Sequence, residues 1–198
     1  IPWYNGTSRL FDPHLRYEGD DIACLVAETE TIANRALKRI KVDYERLPFV
    51  TNHRDGRKAG APLLHGDSNV TTERQTNRGD VEAGIAAADS VVKRTYETQV
   101  IMHNPTEVHC SVVNWDGDKL TVWDSTQAVY WIQGGIAAAL KIPATHVRVI
   151  KKYMGGGFGS KLTTGKYTVM AALLAKEIGR PVRIALDRKE MQQAVGNR

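Results

Sequence analysis

The amino-acid sequence predicts an α+β fold, and three observations carry that expectation. A βαβ-like pattern occupies the first ~50 residues. A hairpin pattern follows a long polar interval. After it, helix and strand patterns alternate, and the glycine-rich stretch "YMGGGFGSK", Tyr153 to Lys161, lies between a strand and a helix.

"DIACLVAET" (21–29) is a nearly continuous apolar run, the pattern of a strand covered on both faces. Thr29 is placed to cap a helix in which Ile32, Ala33, Ala36, Leu37 and Ile40 share one face. "KVDYE" (41–45) reads as the next strand, ended by Leu47-Pro48. Residues 51–80 turn rich in Asn, Gly, Arg, Thr and Asp, as in a long surface loop, and "DVEAGIAAAD" (80–89) offers a short helix.

From Ser90 three β-rich runs follow: "SVVKRTYETQVI", "EVHCSVVNW" and "KLTVWDST". Asp116-Gly117-Asp118 joins the last two as a hairpin turn. A helix over about 129–141 stops near Pro143, the strand "HVRVIKK" leads into the glycine stretch, and a helix over about 161–178 is ended by Gly179 and Pro181 before the strand "PVRIALD". The expected organisation is a module over 1–50, a linker with a short helix over 51–89, and a second domain over 90–198. No internal repeat is present.

The composition excludes several classes. An apolar share of 42% in 198 residues supports a packed core of one large or two small domains. No apolar run approaches the roughly 20 residues of a membrane-spanning helix. The net charge of +5 and pI near 9.2 would suit an anionic small molecule or a partner subunit. The basic residues are scattered, however, with Lys151-Lys152 the densest cluster, and read first as solvated surface. Trp3, Trp115, Trp123 and Trp131 do not alternate with Lys and Arg in a stripe, so nucleic acid is not expected. Cys24 and Cys110 lie in apolar strand-like runs outside any CxxC or His-rich cluster. They read as buried thiols in a reducing compartment, and no metal-ligand set is expected. The chain opens on "IPWYNG" with no initiator Met and no signal peptide and closes on "AVGNR", which reads as a piece of something longer.

The glycine stretch holds the clearest chemistry. Glycines admit positive φ and let a ligand approach the main chain. Free N–H groups at a helix start attract anions. Phosphate or another electron-rich ligand is therefore one reading of 155–161, and a tight turn without ligand is the other. Leu162 after Lys161 breaks the Walker A pattern, and Ser160 replaces the third glycine of the dinucleotide pattern. Phe158 among the glycines argues for something apolar or flat packed on it.

"GGGFGSK" closely resembles the "GGGFGGK" loop of the molybdenum hydroxylases, the xanthine dehydrogenase and aldehyde oxidase family. The likeness continues along the chain. "YEGDDIACLVAETETIANRALKRIKVDYERLPFV" looks like the end of that family's α/β-hammerhead domain. "GDVEAGIAAADSVVKRTYET" and "HNPTEVHCSVVNWDGDKLTVWDSTQ" resemble the first part of its molybdopterin-binding domain, and "GRPVRIALDRKE" its later strand and turn. The resemblance implies an oxidoreductase that hydroxylates an aldehyde or aromatic heterocycle with water as oxygen source, and the alternatives are a xanthine or purine dehydrogenase subunit and a non-catalytic scaffold. It implies molybdopterin as cofactor, with [2Fe–2S] and FAD on other domains or subunits. The expected partners are the rest of the molybdenum-binding subunit, those iron–sulfur and flavin units and a small-molecule substrate, with no membrane. The implied compartment is the cytoplasm, with the periplasm as alternative for the parent complex.

By the same resemblance Gly156, Gly157, Phe158, Gly159 and Ser160 line the cofactor loop, with Phe158 near the metal side. Gln127, ending "DSTQ", matches the glutamine that contacts an oxygen on molybdenum, and is otherwise a strand-end polar residue. His103 and Glu107 match an "H…E" pair and read equally as a structural ion pair. Lys161 would neutralise a phosphate or cap the loop, and packing of its stem is an equal reading. Leu162 stands where xanthine-specific members carry a glutamate, which favours an apolar substrate pocket. The glutamate serving as base would lie beyond Arg198.

Overall fold

Alternation of apolar and polar residues from Cys110 to Asp124 folds into a β-hairpin that forms the two inner strands of the main sheet. A computed structural model describes residues 2–3, 8–70 and 72–197; the side chain of Trp3 lies outside the described residues. In chain order the elements are β1 (Pro2–Trp3), β2 (Ser8–Arg9), α1 (Glu30–Leu37), α2 (His53–Gly56), α3 (Val81–Ala86), β3 (Cys110–Asp116), β4 (Lys119–Asp124), α4 (Val129–Leu140), β5 (Val147–Ile150), α5 (Lys166–Ile178), β6 (Val182–Ala185) and α6 (Arg188–Ala194), with a 3₁₀ turn at Ala144–His146. They divide into two compact units, Ile1–Glu45 with Ile101–Arg198, and Arg46–Val100.

The larger unit holds a four-stranded sheet in the order β5-β4-β3-β6. β4 and β5 run parallel and the other pairs antiparallel. Asp116 pairs with Lys119, so Gly117-Asp118 is the two-residue turn, and Gly117 supplies the positive φ of +57° that such a turn needs. The period of two places Ser111 and Val113 of β3 and Leu120, Val122 and Asp124 of β4 on one buried face. Ile132, Ile136 and Ala137 of α4 and Ala171, Ala172 and Ala175 of α5 close the core over it. The small side chains of α5 let the helix come close, and Trp115 Nε1 donates to the carbonyl of Ala172 at 2.8 Å.

The N-terminal segment joins this unit at the start of α5. Leu10 packs with Val169 and Met170, and Cys24 lies against them. Lys166 Nζ pairs with Asp20 at 2.8 Å and Asp21 at 3.5 Å, which sets two carboxylates at a helix N-terminus, where the macrodipole favours anions. At the same end of the sheet, where β6 finishes beside Cys110, the Arg188 guanidinium donates to the carbonyls of Pro105 and Thr106, and Asp187 and Glu190 form a capping box on α6.

Several sequence expectations change. Thr29 caps α1 through the N–H of Ile32 as expected, but α1 buries no residue. The segments 21–29 and 41–45 form no ladder, so the βαβ unit is not made, and 90–101 carries no strand. The reason is shared: a strand needs a partner edge, and these segments find none among the described residues. The apolar side chains of 90–101 stay open, with Tyr96 89% exposed and Val92 77% exposed, whereas Cys24 and Val26 of 21–29 pack on the core without forming a ladder. α5 begins at Lys166, not near Lys161, so the glycine stretch is not the start of a helix and no helix N-terminus serves it. Cys24 and Cys110 are free and half-buried rather than fully buried. α2 and α6 were not anticipated.

In the smaller unit Asn69 ties the loop around α2. Its Nδ2 donates to the carbonyls of Gly56 and Pro62, and its Oδ1 accepts from the N–H of Leu64. Arg54 pairs with Glu97. Among the described residues no helix is long and apolar enough to cross a membrane.

Candidate functional site

β4 runs out at Asp124 into Ser125, Thr126 and Gln127, and the glycine stretch returns beside that exit. Two side chains stitch them together. The first is Lys161, whose side chain is fully buried. Its Nζ donates to the carbonyl of Glu107 at 3.0 Å, to Glu107 Oε2 at 3.0 Å, to Ser125 Oγ and to the carbonyl of Val108. Glu107 Oε2 also accepts from Ser125 Oγ and from the N–H of Gly155. Lys161 is thus spent inside the protein and is not available to neutralise a phosphate. Glu107 pairs with Lys161, and the expected His103–Glu107 pair is not made.

The second is Gln127. Its Oε1 accepts from the N–H of Gly159 at 2.9 Å and of Lys161 at 3.3 Å. Its Nε2 has no protein acceptor among the described residues and is not sealed from solvent. Gly157 is bare for a reason inside the protein, since a Cβ there would stand 2.5 Å from Gln127 Oε1. Gly156 has a φ of +96°, open to glycine.

What faces outward is the other side of the loop. Phe158 is 59% exposed and holds a φ of +51°, a left-handed conformation that costs an ordinary residue roughly 1–2 kcal/mol. Strain retained on an exposed aromatic points to a use for its position. The N–H groups of Gly156, Gly157 and Phe158 donate to no acceptor among the described residues. Ser160 Oγ turns inward onto the carbonyl of Gly157 at 2.8 Å, so of the expected loop residues its hydroxyl is the one committed elsewhere.

Two buried groups lie behind the loop. His109 is 1% exposed, and its Nε2 donates to the carbonyl of Ser160 at 3.2 Å. Burial lowers its pKa and keeps the ring neutral, against the opposing pull of that hydrogen bond. Its Nδ1, like that of His103, is buried without a partner among the described residues. Asp124 accepts from Ser111 Oγ at 2.6 Å and Thr168 Oγ1 at 2.9 Å, joining β3, β4 and α5. Burial raises its pKa and those hydrogen bonds oppose the rise. Ser125, Thr126 and His109 were not singled out from the sequence, because their role depends on which strand end faces the loop.

For Glu107, partial burial acts upward, yet the hydrogen bonds from Ser125, Gly155 and Lys161 prevail and its pKa lies below the ordinary 4.5. A depressed carboxylate stabilises the fold above its unfolded pKa, and that contribution is lost as pH falls through the folded one. Wild type is therefore expected to exceed Glu107→Gln in thermal stability above about pH 5, and the gap should close on acidification below the ordinary value. Melting curves of both proteins across that range check this, and a gap that widens toward acid would refute it.

Known proteins carry the same arrangement of sequence. The family described as molybdopterin cofactor-binding domain matches residues 64–198, and that described as aldehyde oxidase and xanthine dehydrogenase, a/b hammerhead domain, matches 3–48. The chain belongs to the molybdenum hydroxylase family. The chain is 34% identical over 183 residues to the xanthine dehydrogenase molybdenum-binding subunit of Escherichia coli O157:H7, covering 91% of the chain and 24% of that protein. It is 35% identical over 185 residues to the aldehyde oxidoreductase molybdenum-binding subunit PaoC of the same organism, covering 92% of the chain and 24% of PaoC. Its fold superposes on quinoline 2-oxidoreductase from Pseudomonas putida 86 with a TM-score of 0.75 and 27% identity, over 83% of the chain and 21% of that structure. The chain thus spans about a quarter of the length of the curated relatives it matches.

Proposed function

We propose that these residues are part of the molybdenum-cofactor-binding subunit of a hydroxylase that oxidises an aldehyde or aromatic heterocycle with water as oxygen source. On this reading a hammerhead part runs to about residue 50, a linker to about 89, and the start of the cofactor domain from 90. The observation that carries it is the pairing of three main-chain donors without an acceptor among the described residues, at Gly156, Gly157 and Phe158, with the free Nε2 of Gln127. A flat, electron-rich group rich in acceptor atoms suits that set, and the exposed Phe158 ring offers it an apolar edge.

The loop N–H groups would hold the pterin, and Gln127 would donate from the metal side. Bound there, molybdopterin supplies the metal and the two-electron redox centre. Ser160, with its hydroxyl turned inward, would contribute through its main chain. Iron–sulfur and flavin units on other domains or subunits would carry the electrons away, and two free cysteines suit a reducing, cytoplasmic compartment. Half-buried Leu162 lacks a hydrogen-bonding group for a purine nitrogen, which favours an aldehyde or aromatic ring.

A purine substrate is the second reading, favoured by the likeness to a relative named as the molybdenum-binding subunit of a xanthine dehydrogenase. Purifying the complete complex, measuring its molybdenum and assaying a panel of aldehydes against hypoxanthine separates the two. Molybdenum with aldehyde turnover is expected. Turnover of hypoxanthine alone overturns the substrate assignment. A complex without molybdenum overturns the cofactor reading and leaves a scaffold role. The 198 residues by themselves are expected to be inactive.

A further inference from the structure

Lys161 offers more than a buried ion pair. Its ammonium has four acceptors, drawn from Glu107, Val108 and Ser125, whereas a salt bridge alone needs one. Its main chain grips Gln127 at both ends. The Lys161 N–H donates to Gln127 Oε1 at 3.3 Å, and the Lys161 carbonyl accepts from the Gln127 N–H at 2.8 Å and from Thr126 Oγ1 at 3.0 Å. Two N–H donors on Oε1 leave the Gln127 amide a single orientation, because a flipped amide would set its NH₂ against them. That orientation commits Oε1 to the loop and leaves Nε2 without an acceptor among the described residues.

We propose that Lys161 is a positioning residue: its buried ammonium pins the main chain that orients Gln127, and so aims the Gln127 Nε2 donor. The role rests on the proposed cofactor site and deepens it. Side-chain hydrogen bonds at 159 and 161 depend on where the loop main chain lies. That main chain is tied down from the inside by the Nζ contacts and by the reciprocal bonds between Glu107 and Gly155. Removing the ammonium frees the loop without touching any group that faces the ligand.

The test uses the complete, cofactor-loaded enzyme, with an aldehyde or hypoxanthine as substrate, whichever the wild type turns over. Lys161→Met is expected to retain molybdenum and KM, to lower kcat by about 10²-fold as small misplacements do, and to shift the electron paramagnetic resonance signal of the half-reduced metal. In a Gln127→Ala background the same substitution should add little, since both changes act through one side chain. Ser125→Ala, which removes one Nζ acceptor without adding bulk, should move the signal in the same direction, and it decides the matter if Lys161→Met fails to accumulate. Wild-type kcat and spectrum in these variants, or losses that add fully to that of Gln127→Ala, overturn the positioning role while molybdenum in the wild type upholds the cofactor reading. A wild type that binds no molybdenum overturns both.

Discussion

Gly157→Ala is expected to cost the complete enzyme about 10²-fold in turnover while leaving most of its stability. The added Cβ would lie 2.5 Å from Gln127 Oε1, 2.7 Å from Cδ and 2.8 Å from Cγ. All are below any real contact distance, so one partner must leave. The obstructing atoms belong to a flexible, half-buried side chain, which can swing outward, whereas the main chain of Gly157 is buried. Gln127 would surrender the hydrogen bonds from Gly159 and Lys161, each worth about 0.5–1.5 kcal/mol, and would no longer present Nε2 from a fixed place. The loss therefore falls on the chemistry rather than on the fold. Gly134→Ala is the control. Gly134 lies in α4, a Cβ there meets nothing within 4 Å, and alanine is the better helix former. Turnover, bound molybdenum and melting temperature of the two variants check the expectation. Full turnover in Gly157→Ala would show that the orientation of Gln127 does not matter.

Lys166→Met should be among the most destabilising single changes at the surface of the larger unit. Lys166 and Asp20 have side chains only 12% and 3% exposed. Breaking such a pair from one side leaves a buried charge without compensation, at about 3–5 kcal/mol. The lower end is expected here, because the N–H groups of Asp21 and Arg16 still donate to the Asp20 carboxylate. Asp21 adds to the strain, since burial raises its pKa and Lys166 is what opposes that rise. The double variant Lys166→Met with Asp20→Asn removes both charges and should recover much of the loss. Denaturation of the single and double variants measures this. A single variant within roughly 0.5 kcal/mol of wild type, the range of an ordinary surface substitution, would show that the pair does not hold the N-terminal segment to α5.

The sheet was legible because its pattern is local. Alternation over 110–124, a Gly-Asp turn and the stops at Pro143, Gly179 and Pro181 lie within a few residues of the elements they delimit. The segments 21–29, 41–45 and 90–101 carry strand composition as well, yet composition cannot supply an edge to pair with. The start of α5 was misplaced too. Thr163, Thr164 and Gly165 are weak helix formers, Lys161 is held by Glu107, Val108 and Ser125, and Thr164 Oγ1 donates back to the carbonyl of Ile132. Local propensity and tertiary bonds to distant segments agree in delaying the helix to Lys166.

The glycine loop, Gln127 and the family they indicate could be recognised from the linear order of residues, since a bare backbone stretch and its flanking motifs survive without coordinates. Only the folded chain decided that Lys161 turns inward, that Glu107 answers it in place of His103, and that Gly157 is bare to admit Gln127. Those facts turn on contacts between residues 30 to 55 apart in sequence. At such separations which groups meet is set by packing and desolvation, and no short pattern of residue types encodes it.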